Sequence, residues 1–251
     1  MIRGEFNIFG RMSSLNLANS SLATICFIIV FMLFFIRLKK LTIWGGITGM
    51  LVGIPVFLGA GWWGLLYLGI FFLLGTLATA HGKQHKLSHD DLEQQSTGRR
   101  PGQVFANGGI AALMAILAIF DHKHTFLYHA MMVGSLAAAT ADTLSSELGT
   151  VYGKKFVNVL SFKPDERGLD GVISLEGTII GAAGSLLLAI LFSIQYGFGA
   201  ATIVIAAAGV IGNYVDSILG AVFERRLVMT NNMVNVCNTA AGAVVTALLL
   251  V

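Results

Sequence analysis

Charge is scarce in this chain. Only 12% of its 251 residues are Asp, Glu, Lys or Arg, whereas 55% are hydrophobic. An ordinary soluble domain carries about 25% charged residues, so this deficit excludes a typical soluble protein and indicates a polytopic membrane protein. The net charge of +3 would favour a nucleic-acid partner in a soluble protein, but here its distribution among the loops is more informative, and no nucleic-acid partner is expected.

Cysteines and the common catalytic motifs are also lacking. The two cysteines, Cys26 and Cys237, lie in apolar segments without CxxC spacing, which disfavours a disulfide or metal role. The chain contains no GxxxxGK[ST] phosphate loop, no kinase catalytic-loop set and no HExxH motif. Any phosphoryl transfer would therefore need a different architecture.

What the chain does have is a series of apolar runs. Most are near the roughly 20 residues that a helix needs to cross the hydrocarbon core. Gly59-Ala60-Gly61 separates the second run from the third and predicts a tight turn. We therefore predict an all-α, polytopic membrane helix bundle of about eight transmembrane helices, forming a single integral membrane domain over residues 1–251. The runs are 15–36, 42–59, 61–79, 104–120, 125–148, 172–194, 198–222 and 232–251.

The basic residues fall mostly at one end of these predicted helices. Arg3, Arg11 and Lys123 are the exceptions. By the positive-inside rule, the long loops 80–103 and 149–171 face the cytoplasm and both termini face outward. The expected location is the cell (inner) membrane, with any site on the cytoplasmic side. The other basic residues are Arg37, Lys39, Lys40, Lys83, Lys86, Arg99, Arg100, Lys154, Lys155, Lys163, Arg167, Arg225 and Arg226.

Three predicted helices carry polar stripes toward that cytoplasmic end. Asp142, Ser145 and Ser146 are spaced i, i+3 and i+4, so they share one helix face, and Glu147 lies near the helix end. An ionisable group at bilayer depth costs roughly 2.5 kcal/mol or more, which favours a functional role. The stripes of the last two helices are Asn213, Asp216 and Ser217, and Asn231, Asn235 and Asn238 with Asn232 beside them.

Asp142 and Asp216 occupy similar positions in a weak pattern shared by the fifth and seventh predicted helices. Each aspartate is followed by a glycine and then by a basic pair. A parallel internal repeat would place the two carboxylates at equivalent depth. Chance similarity remains the alternative, because the match is short.

The polar groups suit a phosphorylated ligand. Carboxylates supported by amides and hydroxyls are ligands for a hard cation such as Mg²⁺. Arginine and lysine suit phosphate, and a helix N-terminus adds amide donors. These features meet at the predicted cytoplasmic end. The basic and amide residues concerned are Arg99, Arg100, Gln103, Asn107, Lys154 and Lys155.

Simpler interpretations exist for several polar residues. Asparagines and serines in membrane helices often only bond neighbouring helices, typically for about 0.6 kcal/mol each. Glu224 beside Arg225 and Arg226 is interpreted as an interfacial ion pair. His81, His85 and His89 would form a metal face if residues 80–93 were helical, but nearby glycine and solvated charges disfavour a rigid site. We expect residues 88–98 to form a mobile cytoplasmic segment.

Several ordered motifs resemble the integral membrane family known as domain of unknown function 92. They include Arg99–Gly109, Ala141–Gly149, Gly168–Thr178 around Asp170, Gly212–Ala221 and Asn231–Asn235. The resemblance spans about residues 15–251. The family includes transmembrane protein 19 and phytyl-phosphate kinases of plants and cyanobacteria, which use a nucleoside triphosphate to make a prenyl diphosphate. Glu176 and Pro101-Gly102 depart from the expected pattern.

The leading hypothesis is a membrane-embedded prenyl-phosphate kinase, a transferase acting on a phytyl-like prenyl monophosphate with CTP or ATP. Asp142, Glu147 and Asp216 would be the catalytic residues and would hold the Mg²⁺ of the nucleotide. The prenyl tail would reach the site from the bilayer. Residues predicted to bind substrate or phosphate are Arg99, Arg100, Gln103, Asn107, Ser145, Ser146, Lys154, Lys155, Asp170, Asn213, Asn232, Asn235 and Asn238.

Two other functions remain open. A transporter or lipid scramblase would use Asp142 and Asp216 as a proton or cation site and expose them to both sides in turn. A non-catalytic lipid-binding or assembly factor would keep full function after Asp142→Asn or Asp216→Asn.

Overall fold

The computed structural model describes residues 22–82 and 98–251, and within them the fold is a bundle of seven α-helices, as predicted for the class. Five of these helices are long and apolar enough to cross a membrane, by length and composition. The count of eight transmembrane helices stays a prediction. The helices are α1 Leu22–Arg37, α2 Ile43–Gly82, α3 Pro101–Phe120, α4 Thr125–Tyr152, α5 Leu175–Tyr196, α6 Ala200–Leu219 and α7 Asn231–Leu250.

The 40-residue helix α2 is a hairpin of two helical arms. Its backbone leaves helical geometry at Gly61, whose φ of 61° lies in the left-handed region that glycine adopts without a Cβ clash. Gly45 and Gly75 both contact Arg99, although a straight helix would separate them by about 45 Å. The arms therefore run antiparallel, and the predicted turn between the second and third apolar runs lies at Gly61.

Helix α4 occupies the centre of the bundle and contacts α2, α3, α5, α6 and α7. Small and apolar side chains such as Ala130, Leu136 and Ala139 fill its middle and are fully buried. Helices α4 and α6 run in the same direction, because Gly209 lies against Ala137 and Asp216 lies beside Asp142. Small residues at such crossings allow the close approach on which helix association in lipid depends.

Connections at one end of the bundle carry most of the basic residues. A short antiparallel ribbon pairs β1 Val157–Asn158 with β2 Val172–Ile173 in the loop between α4 and α5. Arg225, just after the π-helical turn Gly220–Glu224 that extends α6, bonds Asp165 of this loop at 2.9 Å. The opposite end contains Gly61 and the 3₁₀ turn His122–His124.

Candidate functional site

A polar cavity of about 720 Å³ opens at the basic end of the bundle. Its size is within the range of about 300–1,000 Å³ typical of small-ligand sites. Basic groups come from the two loops beside α1 and α3, acidic groups come from α4, and amides come from α3 and α7. The lining comprises Leu38, Lys39, Lys40, Thr76, Thr79, Ala80, Gly98, Arg99, Arg100, Gln103, Asn107, Asp142, Thr143, Ser146, Glu147, Thr230, Asn231, Asn232 and Asn235.

The acidic centre is a pair of aspartates on neighbouring helices. Asp142 of α4 lines the cavity, and Asp216 of α6 lies behind it within hydrogen-bonding reach. Asn238 of α7 lies next to Asp216 and is fully buried. Two ionised carboxylates at this separation repel each other, and a bound cation would offset that repulsion.

Several buried polar atoms around this pair have no hydrogen-bond partner among the described residues. They are Asp216 Oδ2, Asn107 Oδ1, Asn235 Oδ1 and both amide atoms of Asn238. Most buried polar side-chain atoms in proteins are partnered, so unpartnered atoms beside a cavity are candidate contacts for a bound ion, water or ligand. All but one of these atoms are oxygens, which are the atoms that a hydrated Mg²⁺ contacts.

Two of the asparagines that line the cavity, Asn107 and Asn235, are held by hydrogen bonds from their amide nitrogens. Asn235 donates through Nδ2 to Asn231 Oδ1 at 3.0 Å, and Asn107 donates to the carbonyl of Gln103 at 3.0 Å. Gln103 also accepts from the backbone N–H of Arg100 at 2.9 Å and so caps the start of α3. These bonds leave the amide oxygens of Asn107 and Asn235 unpartnered within the described residues.

Arg99 is the most firmly positioned cation of the cavity. Its backbone bridges the loop before α2, with Thr42 N–H bonded to its carbonyl at 3.1 Å. Its guanidinium lies over the rings of Phe71 and Phe72, 5.5 and 5.2 Å from their centroids, and reaches Gly75, which has no side chain to obstruct it. Burial lowers the pKa of Arg99 to about 10, and nearby Glu147 opposes the shift, so the side chain stays charged at neutral pH.

Glu147 lines the same cavity as Asp142, on which its charge acts, and it faces α2. Its Oε1 accepts a hydrogen bond from Thr79 at 3.0 Å, and its charge acts on Arg99. Over residues 22–82 and 98–251, no three His, Cys, Asp or Glu side chains form a metal-binding group. The structure brings Asp142 and Asp216 together, whereas Glu147 lines the same cavity beside Thr79 and Arg99. The assignment of all three carboxylates as metal ligands stays a prediction.

Comparison with known proteins places the chain in a family. The family described as integral membrane protein DUF92 matches residues 25–243. The chain belongs to this family. An uncharacterized membrane protein of Methanocaldococcus jannaschii is 34% identical to it over 205 residues, covering 82% of this chain and 84% of the relative. No solved structure matches the chain.

Two further relatives of this DUF92 protein come from photosynthetic organisms. An uncharacterized membrane protein of Synechocystis is 32% identical over 213 residues, which is 82% of this chain and 81% of the relative. The chloroplastic protein VTE6 of Arabidopsis thaliana is 31% identical over 196 residues, which is 74% of this chain and 58% of that protein.

Some predicted site residues of the DUF92 protein do not line the cavity. Ser145 and Asn213 pack against Gly181 of α5. Lys154 and Lys155 are exposed beyond the end of α4, where the Lys154 N–H bonds Glu176 at 3.3 Å. Ser145 and Asn213 were predicted from helical spacing and the two lysines from loop charge. Neither signal determines which neighbouring element a side chain meets.

Asp170 is also outside the cavity lining. It lies on the exposed loop before β2, where its carbonyl accepts from Arg225 Nε at 2.5 Å. Its carboxyl acts on Asp216 and Glu224 across the base of the loop. Asp170 is therefore near Asp216 but does not line the cavity.

Three residues of the site were missed or misjudged. Thr76 and Thr79 line the cavity from α2. Their i, i+3 spacing near the end of an apolar run places them on one helix face, so the sequence indicated a polar face there. The interpretation of Glu224 as an ion pair with the arginines after it was wrong. Arg225 pairs with Asp165, while Glu224 faces Asn231 and the acids Asp170 and Asp216.

Of the three histidines that would form a metal face, only His81 lies within the described residues. His81 stacks on Tyr152, with ring centroids 5.7 Å apart, and its Nε2 lies 2.7 Å from the Tyr152 hydroxyl. His85, His89 and the predicted mobile segment up to residue 97 lie outside the described residues.

Proposed function

We propose that the protein is a membrane-embedded prenyl-phosphate kinase that uses a nucleoside triphosphate, CTP or ATP. The observation that carries this proposal is the cavity itself, where fixed basic groups, a carboxylate pair and unpartnered amide oxygens meet. The family resemblance implies this activity for some members. The cavity's position at the basic end of a membrane bundle favours an anionic substrate that approaches from the lipid.

The residues suit a reaction that requires positioning and charge compensation. In the proposed step, an oxygen of the lipid monophosphate forms a bond to the γ-phosphorus of the nucleotide. The bond from that phosphorus to the β–γ bridging oxygen breaks, and the nucleoside diphosphate leaves with the electron pair. A phosphate monoester has its second pKa near 6, so its oxygen needs no general base at neutral pH. Phosphoryl transfer then depends mainly on alignment and electrostatics.

Each group has a role in this step. Asp142 and Asp216 would hold Mg²⁺, supported by the amide oxygen of Asn238. When bound, Mg²⁺ neutralises charge on the β- and γ-phosphates. Arg99 would bind the lipid phosphate, with Glu147 holding the guanidinium in place. The remaining basic groups at the opening, Lys39, Lys40 and Arg100, would bind the nucleotide phosphates.

The test is phosphoryl transfer by the purified protein in lipid nanodiscs. Farnesyl, geranylgeranyl or phytyl monophosphate would be incubated with γ-labelled CTP or ATP and Mg²⁺, and lipid products separated by chromatography. We expect labelled prenyl diphosphate from the wild-type protein and a transfer rate lower by about 10²-fold or more from Asp142→Asn. Arg226→Gln, an exposed change outside the cavity lining, is the matched control and should retain activity. Absence of diphosphate for every lipid and nucleotide would reject the proposal.

A further inference from the structure

A second cavity, almost entirely apolar, lies beside the polar one. It has a volume of about 510 Å³ and runs between α1, the two arms of α2 and the start of α3. Aromatic and aliphatic side chains form its walls, and glycines keep parts of it open. Among its lining residues are Phe27, Phe31, Trp62, Leu66, Gly69 and Val104.

Arg99 lines both cavities. Its guanidinium lies over Phe71 and Phe72, whose side chains also line the apolar groove. The groove therefore begins where the polar cavity presents its best-fixed positive charge. A ligand that joins an anionic group to a hydrocarbon chain would have a complementary surface for both parts.

The groove has a limited length. It follows the second arm of α2 from Phe72 back to Trp62, ten residues or about 15 Å of helix. That length is about half of a hydrocarbon core of roughly 30 Å, so the groove covers the depth of one leaflet. At its far end, Trp62 packs against Phe27 and Phe57, with ring centroids 5.9 and 5.8 Å apart.

We propose that this groove binds the hydrocarbon chain of the lipid phosphate and that the aromatic end formed by Phe27, Phe57 and Trp62 limits the chain length accepted. This inference rests on the proposed function for the identity of the headgroup. One chain in one leaflet fits the groove, with its phosphate at Arg99. Lengthening the chain beyond Trp62 would force it out of the groove into the surrounding lipid.

Gly69 offers a direct way to shorten the groove. A Cβ placed on this residue meets no atom within 4 Å, although Gly69 lines the cavity. Gly69→Leu should therefore fill the groove without displacing its walls. Gly199 is a matched control, because a Cβ there also meets nothing within 4 Å and the residue is exposed at the opposite end of the bundle.

Binding can be measured without turnover. Purified protein in detergent would be titrated with farnesyl, geranylgeranyl and dimethylallyl monophosphate, with farnesol and inorganic phosphate as single-part probes, by native mass spectrometry. We expect Gly69→Leu to weaken geranylgeranyl monophosphate binding at least tenfold and to spare dimethylallyl monophosphate. Gly199→Leu should match the wild type, and thermal melting would verify that each variant is folded.

Trp62→Ala tests the opposite direction. The Trp62 side chain is 59% exposed, so its removal should leave the fold intact while it opens the far end of the groove. We expect the preference for geranylgeranyl over farnesyl monophosphate to rise several-fold. An unchanged chain-length preference in both Gly69→Leu and Trp62→Ala would overturn the inference.

The two proposals can fail separately. Chain-length shifts in binding without any prenyl diphosphate product would support the groove and reject the kinase. Diphosphate formation with chain-length preference unaltered by either variant would support the kinase and reject the groove. A wild-type protein that binds none of the three prenyl monophosphates would overturn the groove proposal directly.

Discussion

The two ends of the bundle differ in whether their buried polar groups have hydrogen-bond partners. At the basic end, Asn235 is 7% exposed and its Oδ1 has no partner within the described residues. At the opposite end, His129 is 6% exposed and both of its ring nitrogens are bonded. Asn235 and His129 are therefore almost equally buried but differ in hydrogen bonding. We interpret the end with unpartnered atoms as the candidate site and the end with bonded groups as structural support.

The end of the bundle that contains His129, called the paired end below, stabilises the turn of α2. His129 Nε2 donates to the carbonyl of Gly59 at 2.8 Å, and its Nδ1 accepts from the Tyr196 hydroxyl at 2.5 Å. Tyr67 donates to Gln195 at 2.5 Å. These bonds join both arms of α2 to α4 and α5. A polar side chain in a membrane helix is thus not in itself evidence of function, whereas unpartnered atoms beside a cavity are.

The largest expected effect is loss of catalysis when Asp142 is changed at the basic end of the bundle. Asp142→Asn removes a charge that would hold the cation, and we expect the transfer rate to fall by about 10²-fold or more, the scale seen when a stabilising group is removed from an active site. Thermal stability should not fall, because the change also removes repulsion with Asp216. Transfer assays and melting curves on the same preparation would measure both. Full transfer activity of Asp142→Asn would exclude Asp142 from the catalytic site.

At the paired end, the effect should be on stability instead. His129→Phe leaves the Gly59 carbonyl and the Tyr196 hydroxyl without their partner, which should cost about 1–3 kcal/mol. Activity per folded molecule should stay at the wild-type level. Denaturation in mild detergent, followed by activity of the folded fraction, separates the two quantities. Weaker substrate binding with an unchanged unfolding midpoint would contradict the comparison.

Arg99→Lys should sharpen the description of the headgroup site. Lysine keeps the charge but loses the planar fork and its stacking on Phe71 and Phe72. We expect the affinity for farnesyl monophosphate to fall by about tenfold, which corresponds to about 1.4 kcal/mol. Arg226→Lys is the control and should bind normally. Equal binding by both variants would remove Arg99 from the proposed site.

The smallest expected effect concerns Ser135, a buried residue without a described partner that lies outside both cavities. Ser135 is fully buried in the middle of α4, and its hydroxyl has no partner among the residues described. It lines neither of the two cavities. Ser135→Ala should leave activity unchanged and alter stability by less than about 0.5 kcal/mol, or increase it. A large loss of transfer activity would extend the functional region into the helix core.

Helical periodicity predicted much of the cavity. The spacing of Asp142 and Ser146 on one helix, and of Asn231 and Asn235 on another, determines which residues share a face, so the stripes could be identified from the sequence. The loop charges identified the correct end of the bundle for Arg99. That these stripes converge depends on long-range packing, for which periodicity gives no information.

Long-range packing also explains why helical spacing did not predict the neighbours of some site residues. Thr79 meets Glu147 only because α2 folds back at Gly61, which brings the second arm of α2 against α4. Ser145 faces the glycines of α5 although it shares a stripe with Asp142. A helix of 3.6 residues per turn presents several faces, and the neighbouring helices determine which of them opens to the cavity.

The most direct measurement is a structure of the protein in nanodiscs with Mg²⁺, a non-hydrolysable nucleotide triphosphate analogue and farnesyl monophosphate. We predict phosphate density beside Arg99, a cation at Asp142, and the farnesyl chain in the apolar groove. Both ligands ordered elsewhere, with the polar cavity containing only water, would contradict the assignment of this cavity as the site of phosphoryl transfer.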